Sequence, residues 1–154
     1  MNYWLLKSEP DAFSIDDLRG MPGKKDHWDG IRNYQARNMM RDDMRKGDMA
    51  FFYHSSCAVP GIVGTVEIVK EAYDDYTALD PKSKYFDAKA SSDNPRWCMV
   101  DVKYKKKFKS IISLATLKEN KKLADMTLLK KGNRLSIMPV SALHWKTILK
   151  LADA

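Results

Sequence analysis

The stretch that decides the fold is residues 49–72, MAFFYHSSCAVPGIVGTVEIVKEA. It contains two runs rich in aromatic and branched residues, at 49–54 and 61–72, joined by a short connection. Such runs are typical of β-strands. The first run is apolar at nearly every position, so it predicts a strand that is covered on both faces. Gly64, inside the second run, predicts a bulge or a close approach of another backbone.

Further secondary structure is predicted on both sides of this stretch. Strands are expected at residues 2–7, 97–108 and 134–140. Helices are expected at residues 15–19 after the N-cap Ser14, from Asn33 to Gly47, from Ser113 to Asn120 with another turn or two at 123–129, and after the N-cap Ser141. Because about five strands are scattered among short helices without regular βαβ alternation, we predict an α+β protein built on a small mixed barrel.

Two segments have the composition of loops. Residues 21–30, MPGKKDHWDG, are rich in turn-forming residues and predict a loop. Residues 73–95 show no periodicity and predict a long loop with short ordered pieces. Loops longer than about 12–15 residues are usually functional or disordered, and the three Tyr and one Phe of this segment argue against disorder.

The composition is that of an ordinary soluble protein. The chain is 44% hydrophobic, and its length of 154 residues predicts one domain over residues 1–154. No apolar run approaches the roughly 18 residues that a membrane span needs. The short apolar run at the N-terminus is not a signal peptide, and Cys57 and Cys98 lack the spacing of metal ligands. We therefore expect a cytoplasmic protein with reduced thiols and no metal. The net charge of +7 favours nucleic acid as a partner. We do not expect the protein to bind a membrane.

The most informative candidate site is the segment at residues 28–41, WDGIRNYQARNMMR. Trp28 and Tyr34 offer flat faces on which a base could stack, and the N-terminus of the predicted helix suits a phosphate. Three arginines could follow a nucleic-acid backbone, namely Arg32, Arg37 and Arg41. The alternative is that the aromatic rings belong to the core and the arginines form a solvated helix face.

Other polar residues follow predicted strands. The first strand is followed directly by Lys7, Ser8 and Glu9. These residues form either a hydrogen-bonding rim or a turn with a surface ion pair. His54 and Ser55 follow MAFFYH, where loop residues on a rigid scaffold often contact ligands, although a single His is more often structural.

Two further features leave alternatives open. Trp97 begins a strand and belongs either to the core or to the wall of a cavity. The tract KYKKKFK at 103–109 interleaves lysines with Tyr104 and Phe108, as some nucleic-acid surfaces do. The same lysines would also protect an exposed edge strand from aggregation.

The known catalytic signatures are missing from the chain. It has no GxSxG, Walker A, GxGxxG, HExxH or DxDxDG motif, and its three histidines and two isolated cysteines form no recognisable triad pattern. These observations predict a protein that is not an enzyme and needs no cofactor.

Several of these segments together resemble the EVE domain family. The matching text is YWLLKSEPDAFSIDDL at 3–18, WDGIRNYQARNMMR at 28–41, GDMAFFYHSS at 47–56, GIVG at 61–64, PRW at 95–97 and RLSIMPV at 134–140. The resemblance implies a PUA-like fold, a small twisted β-barrel of about five or six strands surrounded by short helices, related to YTH and ASCH domains.

The resemblance also implies a non-catalytic reader of modified DNA bases, such as 5-methylcytosine and its oxidised forms. Alternatives within the superfamily are an RNA-binding module and a small ASCH-like hydrolase of modified nucleosides. The implied nucleobase pocket comprises Lys7, Ser8, Glu9, Trp28, Arg32, Asn33, Tyr34, His54, Ser55 and Trp97, with Arg134 and Ser136 as further candidates. Phosphates of the strand would contact Arg37, Arg41, Lys105, Lys106 and Lys107.

Overall fold

A single mixed sheet forms the centre of the protein, in a computed structural model that describes residues 1–153. Its strands are β1 (Tyr3–Ser8), β2 (Lys25–Trp28), β3 (Met49–His54), β4 (Gly61–Asp74), β5 (Cys98–Ser113) and β6 (Ile137–Val140). The α-helices are α1 (Ile15–Arg19), α2 (Tyr34–Asp42), α3 (Leu114–Glu119) and α4 (Ala142–Asp153). Short 3₁₀ turns lie at Pro22–Lys24, Tyr76–Leu79, Lys121–Leu123 and Thr127–Leu129.

The strand order in the sheet is β2–β5–β4–β3–β1–β6. Only β1 and β3 run parallel to each other, and the remaining neighbours are antiparallel. The α+β class and the strand number are those predicted. Over residues 1–153 the sheet does not close into a complete barrel, because β2 and β6 remain its two edges.

Both faces of the sheet are covered by apolar side chains. On one face Trp4, Leu6 and Phe52 pack in a cluster that includes residues of α1 and α2. On the other face Leu5 and Phe51 pack with residues of α3 and α4. Successive strand residues point to opposite faces, so β1 and β3 supply both clusters, and the predicted double coverage of residues 49–54 is confirmed.

The predicted helix starts are confirmed in their hydrogen bonds. The Ser14 side chain accepts from the backbone N–H of Asp17, and the Asp17 carboxylate accepts from the N–H of Ser14. The Asn33 side chain accepts from the N–H of Ala36 at 3.0 Å. Each bond satisfies a backbone N–H that has no partner within the helix.

Several predicted boundaries are wrong, and β6, predicted from residue 134, begins at Ile137. Residues 21–30 contain strand β2, which pairs with β5 and whose polar sequence KDHW buries only Trp28, so it lacks apolar alternation. Helix α2 ends at Asp42, not at Gly47. The chain turns earlier because the buried Asp48 carboxylate accepts the backbone N–H of Arg45 at 2.9 Å.

The long strands β4 and β5 extend beyond their predicted limits because they pair with each other from Gly61↔Ser113 to Asp74↔Cys98. The close approach predicted at Gly64 is present, since a Cβ there would lie 2.1 Å from the backbone oxygen of Lys106. None of the helices among residues 1–153 combines the length and the apolar character required to cross a membrane.

Candidate functional site

A cavity of about 750 Å³ lies beyond the ends of the parallel strands β1 and β3. Ser8 is level with His54 in the register, and the backbone N–H of Ser55 donates to the Ser8 carbonyl at 3.0 Å. The polar residues that follow both strands therefore meet at one end of the sheet. The Lys7 N–H donates to the Ser136 carbonyl at 2.9 Å, which brings the residues before β6 to the same place.

The cavity has an apolar part and a polar rim. The large apolar and aromatic side chains of its lining are Phe13, Trp28, Ile31 and Tyr85. Seven of the twelve predicted nucleobase contacts line it, namely Lys7, Ser8, Glu9, Trp28, Ser55, Arg134 and Ser136. Their functional roles stay predictions, but the structure brings together residues from four separate segments of the chain.

Charges of both signs surround the cavity. Lys7, Lys84 and Arg134 supply cations, and Glu9, Asp26 and Asp29 supply carboxyl groups. Burial lowers the pKa of Lys7, whose ammonium has no carboxylate within 4.0 Å among residues 1–153. A ligand that enters this space meets both donors and acceptors.

His27 links two of the carboxyl groups. Its Nδ1 lies 3.1 Å from Asp26 Oδ1, and its Nε2 lies 3.5 Å from Asp29 Oδ2. Burial raises the pKa of Asp29, with Asp75 and Asp26 acting in the same direction and His27 acting against it. Carboxylates can accept a hydrogen bond from the exocyclic amino group of cytosine. The part of the cavity lined by Asp26 and Asp29 therefore suits a base that presents an amino group.

Arg32 and Asn33, both predicted to contact a base, have structural partners instead of cavity positions. The Arg32 guanidinium forms an ion pair with Asp75, a carboxylate with no exposed surface, at 3.0 Å. Burial alone would raise the pKa of Asp75, but hydrogen bonds from Thr77, Gly30 and Arg32 lower it below its ordinary value. Asn33 is the N-cap of α2.

Tyr34 and Trp97 lie next to each other outside the cavity. Their rings stack at 4.8 Å between centroids, and Arg37 lies 4.6 Å from the centroid of the Tyr34 ring. The Trp97 indole N–H donates to Asp87 at 2.6 Å, and Trp97 is 6% exposed. The structure therefore does not bring these two aromatic residues to the cavity.

His54 caps helix α1 from the end of β3. Its Nε2 accepts the backbone N–H of Ile15 at 3.2 Å, so the ring must be neutral at that nitrogen. Burial lowers the pKa of His54, and Lys107 acts in the same direction, whereas Asp16 and Asp17 act against it. His54 is not part of the cavity lining.

We expect the His54 bond to make folding sensitive to mild acid. Since the pKa is lower in the folded than in the unfolded state, where it is about 6.5, this contribution is complete above about pH 6.5. It is lost as the pH falls through the folded pKa, at a cost of about 0.5–1.5 kcal/mol. Urea unfolding at pH 7 and pH 5 should show a steeper loss for the wild type than for His54→Gln, which accepts the same bond without titrating. Equal losses in the two proteins would refute this role.

All five residues predicted to bind phosphate have protein partners. Arg37 donates to the Arg96 carbonyl at 2.8 Å. The other four form ion pairs at the surface, which are Arg41–Asp42, Lys105–Glu67, Lys106–Asp153 and Lys107–Asp16. Exposed pairs contribute only about 0–1 kcal/mol, so a phosphate can replace the carboxylate at little cost.

Sequence reasoning missed ten residues of the cavity lining, namely Ala12, Phe13, Asp26, His27, Asp29, Gly30, Ile31, Ser56, Lys84 and Tyr85. Asp26 and Asp29 flank Trp28, a predicted base contact, so their position next to it was a usable signal. Lys84 and Tyr85 belong to the long segment without periodicity, where only the unusual aromatic content indicated an ordered role.

The chain matches the EVE domain model over residues 2–151. It is 44% identical over 167 residues to thymocyte nuclear protein 1 of Danio rerio, covering 97% of this chain and 71% of that protein. The Pseudomonas syringae protein of a crystal structure is 54% identical in sequence to this chain, and the two structures have a TM-score of 0.92. The alignment covers 97% of this chain and 99% of the Pseudomonas chain.

A further similar structure includes a ligand. The crystal structure of human THYN1 protein in complex with 5-methylcytosine-containing DNA is 40% identical to this chain, with a TM-score of 0.94. The alignment covers 100% of this chain and 99% of the human one.

Proposed function

This chain belongs to the EVE domain family and has its PUA-like fold, and from that premise we propose that it binds nucleic acid and holds one modified cytosine in the cavity. The base is 5-methylcytosine or an oxidised form, turned out of a duplex or taken from a single strand. The observation that carries the proposal is the cavity itself, which combines aromatic walls with a rim of donors and acceptors.

The size of the cavity supports a ligand as small as one base. Sites for small molecules are typically about 300–1,000 Å³, and this one is about 750 Å³. Lys7, Arg134, Ser55 and Ser136 can donate to the base, and Asp26 and Asp29 can accept from it. A wrong base would leave some of these groups unpaired, which penalises it.

The energies involved are compatible with base extrusion. Turning a base out of a duplex costs a few kcal/mol, and stacking on an aromatic ring returns about 1–3 kcal/mol. One buried methyl group adds about 0.8 kcal/mol, or roughly a fourfold preference. A hydroxymethyl group that also completes a hydrogen bond is discriminated more strongly.

We expect a graded preference in fluorescence anisotropy with one labelled oligonucleotide whose central cytosine is plain, methylated or hydroxymethylated. The methylated form should bind roughly fourfold more tightly than the plain form, and the hydroxymethylated form about tenfold or more. All three affinities should fall steeply with salt, because the basic residues release counterions when they contact phosphates. Equal affinities for the three forms would overturn the modified-base proposal. Tighter binding of a matched RNA would favour the RNA-binding alternative.

The hydrolase alternative has one observation in its favour, the unpaired Lys7 in the cavity with its lowered pKa. A lysine in that state can act as a nucleophile or a base. The Ser8 hydroxyl, by contrast, donates to the Phe13 carbonyl and not to a histidine. Release of free base or ammonia from a modified nucleoside by the wild type, and not by Lys7→Arg, would establish the hydrolase instead of the non-catalytic reader.

A further inference from the structure

Tyr85 is held at the cavity by contacts that leave it outside the hydrophobic core. Its backbone carbonyl accepts two bonds from Arg32, from Nε at 3.0 Å and from Nη2 at 2.6 Å. The same guanidinium lies 5.7 Å from the centroid of the Tyr85 ring. Over residues 1–153 no other aromatic ring stacks on Tyr85, and the side chain is half-buried.

The other aromatic residues of the cavity are already packed. Trp28 is 6% exposed and meets Phe52 edge-on, with 5.3 Å between ring centroids and an interplanar angle of 85°. Phe13 contacts Trp28 and Phe52 at centroid distances of 6.4 and 6.5 Å and packs against the same core cluster. These two rings belong to the cavity wall and pack against other aromatic rings, whereas over residues 1–153 no aromatic ring packs against Tyr85.

Gly30 shows how closely the Tyr85 ring approaches the β2 end of the cavity. A Cβ at Gly30 would lie 2.6 Å from two ring carbons of Tyr85, and Gly30 has a φ of +76°. The Gly30 N–H also donates to Asp75 at 3.0 Å, and Asp75 in turn pairs with Arg32. One buried carboxylate thereby fixes both sides of the contact between residue 30 and the tyrosine.

We propose that Tyr85 is the stacking platform for the bound base and that Arg32 is a positioning residue that holds it there. This assignment rests on the proposed function and names the residue that would contact the face of the base. The exposed Lys84 ammonium, 5.0 Å from the centroid of the Tyr85 ring, can move to a phosphate when a base occupies that face. The long loop then completes the base site, which the residues at the ends of the strands do not form alone.

The test compares three variants in the anisotropy assay with the hydroxymethylated oligonucleotide. Tyr85→Ala should weaken binding by about fivefold to 150-fold, the range found when a stacking aromatic is removed. Tyr85→Phe keeps the ring and should bind within about twofold of the wild type. Phe86→Ala removes the neighbouring aromatic, which is 43% exposed and outside the cavity lining, and should also bind like the wild type.

A second measurement places a fluorescent cytosine analogue at the central position and follows the quenching of its emission on binding. If Tyr85 only supported the structure of the loop, its replacement would not change this quenching at saturating protein. The wild type and Tyr85→Phe should quench its emission on binding, whereas Tyr85→Ala at saturating protein should not. If the wild type prefers the modified oligonucleotide and Tyr85→Ala binds and quenches equally well, the stacking assignment is wrong while the proposed function stands. If the wild type shows no preference among the oligonucleotides, the proposed function itself fails.

Discussion

Arg32→Ala should lower the free energy of unfolding by about 3–5 kcal/mol, because it leaves a buried carboxylate without its cation. Asp75 has no exposed surface, and Arg32 is its ion-pair partner at 3.0 Å. The substitution also removes both hydrogen bonds to the Tyr85 carbonyl. The measurement is urea unfolding at neutral pH, followed by far-UV circular dichroism.

Two variants separate the buried pair from a general effect of lost charge. Arg41→Ala removes a guanidinium from the exposed pair with Asp42 and should leave the free energy of unfolding close to that of the wild type. Arg32→Lys retains the charge without the forked set of donors, so its loss should lie between the other two. A cost for Arg32→Ala as small as that for Arg41→Ala would show that Asp75 does not depend on the arginine.

Gly64→Ala should cost about 3 kcal/mol or more, since the new methyl group has no space between β4 and β5. A Cβ at this position would lie 2.1 Å from the Lys106 carbonyl oxygen and 2.4 Å from Cδ1 of Ile15. The carbonyl belongs to the neighbouring strand, so the two strands would have to separate. Overpacking of a core typically costs about 1–3 kcal/mol and occasionally more, and a clash with the backbone of a paired strand belongs to the costly cases.

Gly20→Ala is the matched control for this substitution. Gly20 has a φ of −81°, and a Cβ there would meet its nearest atoms at 3.5 and 3.6 Å, which are ordinary contacts. Its melting temperature should stay close to that of the wild type, whereas that of Gly64→Ala should fall by several degrees. Similar melting temperatures for the two variants would mean that the strands tolerate the methyl group.

Local patterns predicted the elements that carry their own signal. The apolar run at residues 49–54 and the caps Ser14 and Asn33 lie where the sequence placed them. Strand β2 could not be found in this way, because its polar residues form a strand only through pairing with β5. The identity of the edge strands likewise depends on which strands pair with each other. Local sequence patterns do not determine that pairing.

The candidate site was predictable where its residues directly follow strands. Lys7, Ser8 and Ser55 reach the cavity because the parallel pairing of β1 and β3 aligns the ends of the strands. Tyr34 and Trp97 were predicted to belong to the nucleobase pocket, and they stack on each other outside the cavity. The sequence does not show which aromatic rings will pack against each other. Only the folded structure shows that Tyr85 lines the cavity whereas Tyr34 and Trp97 do not.

The position of β1 between β3 and β6 has a consequence for the nascent chain. β1 is synthesised long before Ile137–Val140, the strand that pairs with its outer edge. Until then an apolar strand keeps an unpaired edge, the kind of surface that joins other chains. We therefore expect folding to be completed late, with a slow approach to the native state that reflects non-local pairing, and with a need for protection from aggregation during translation.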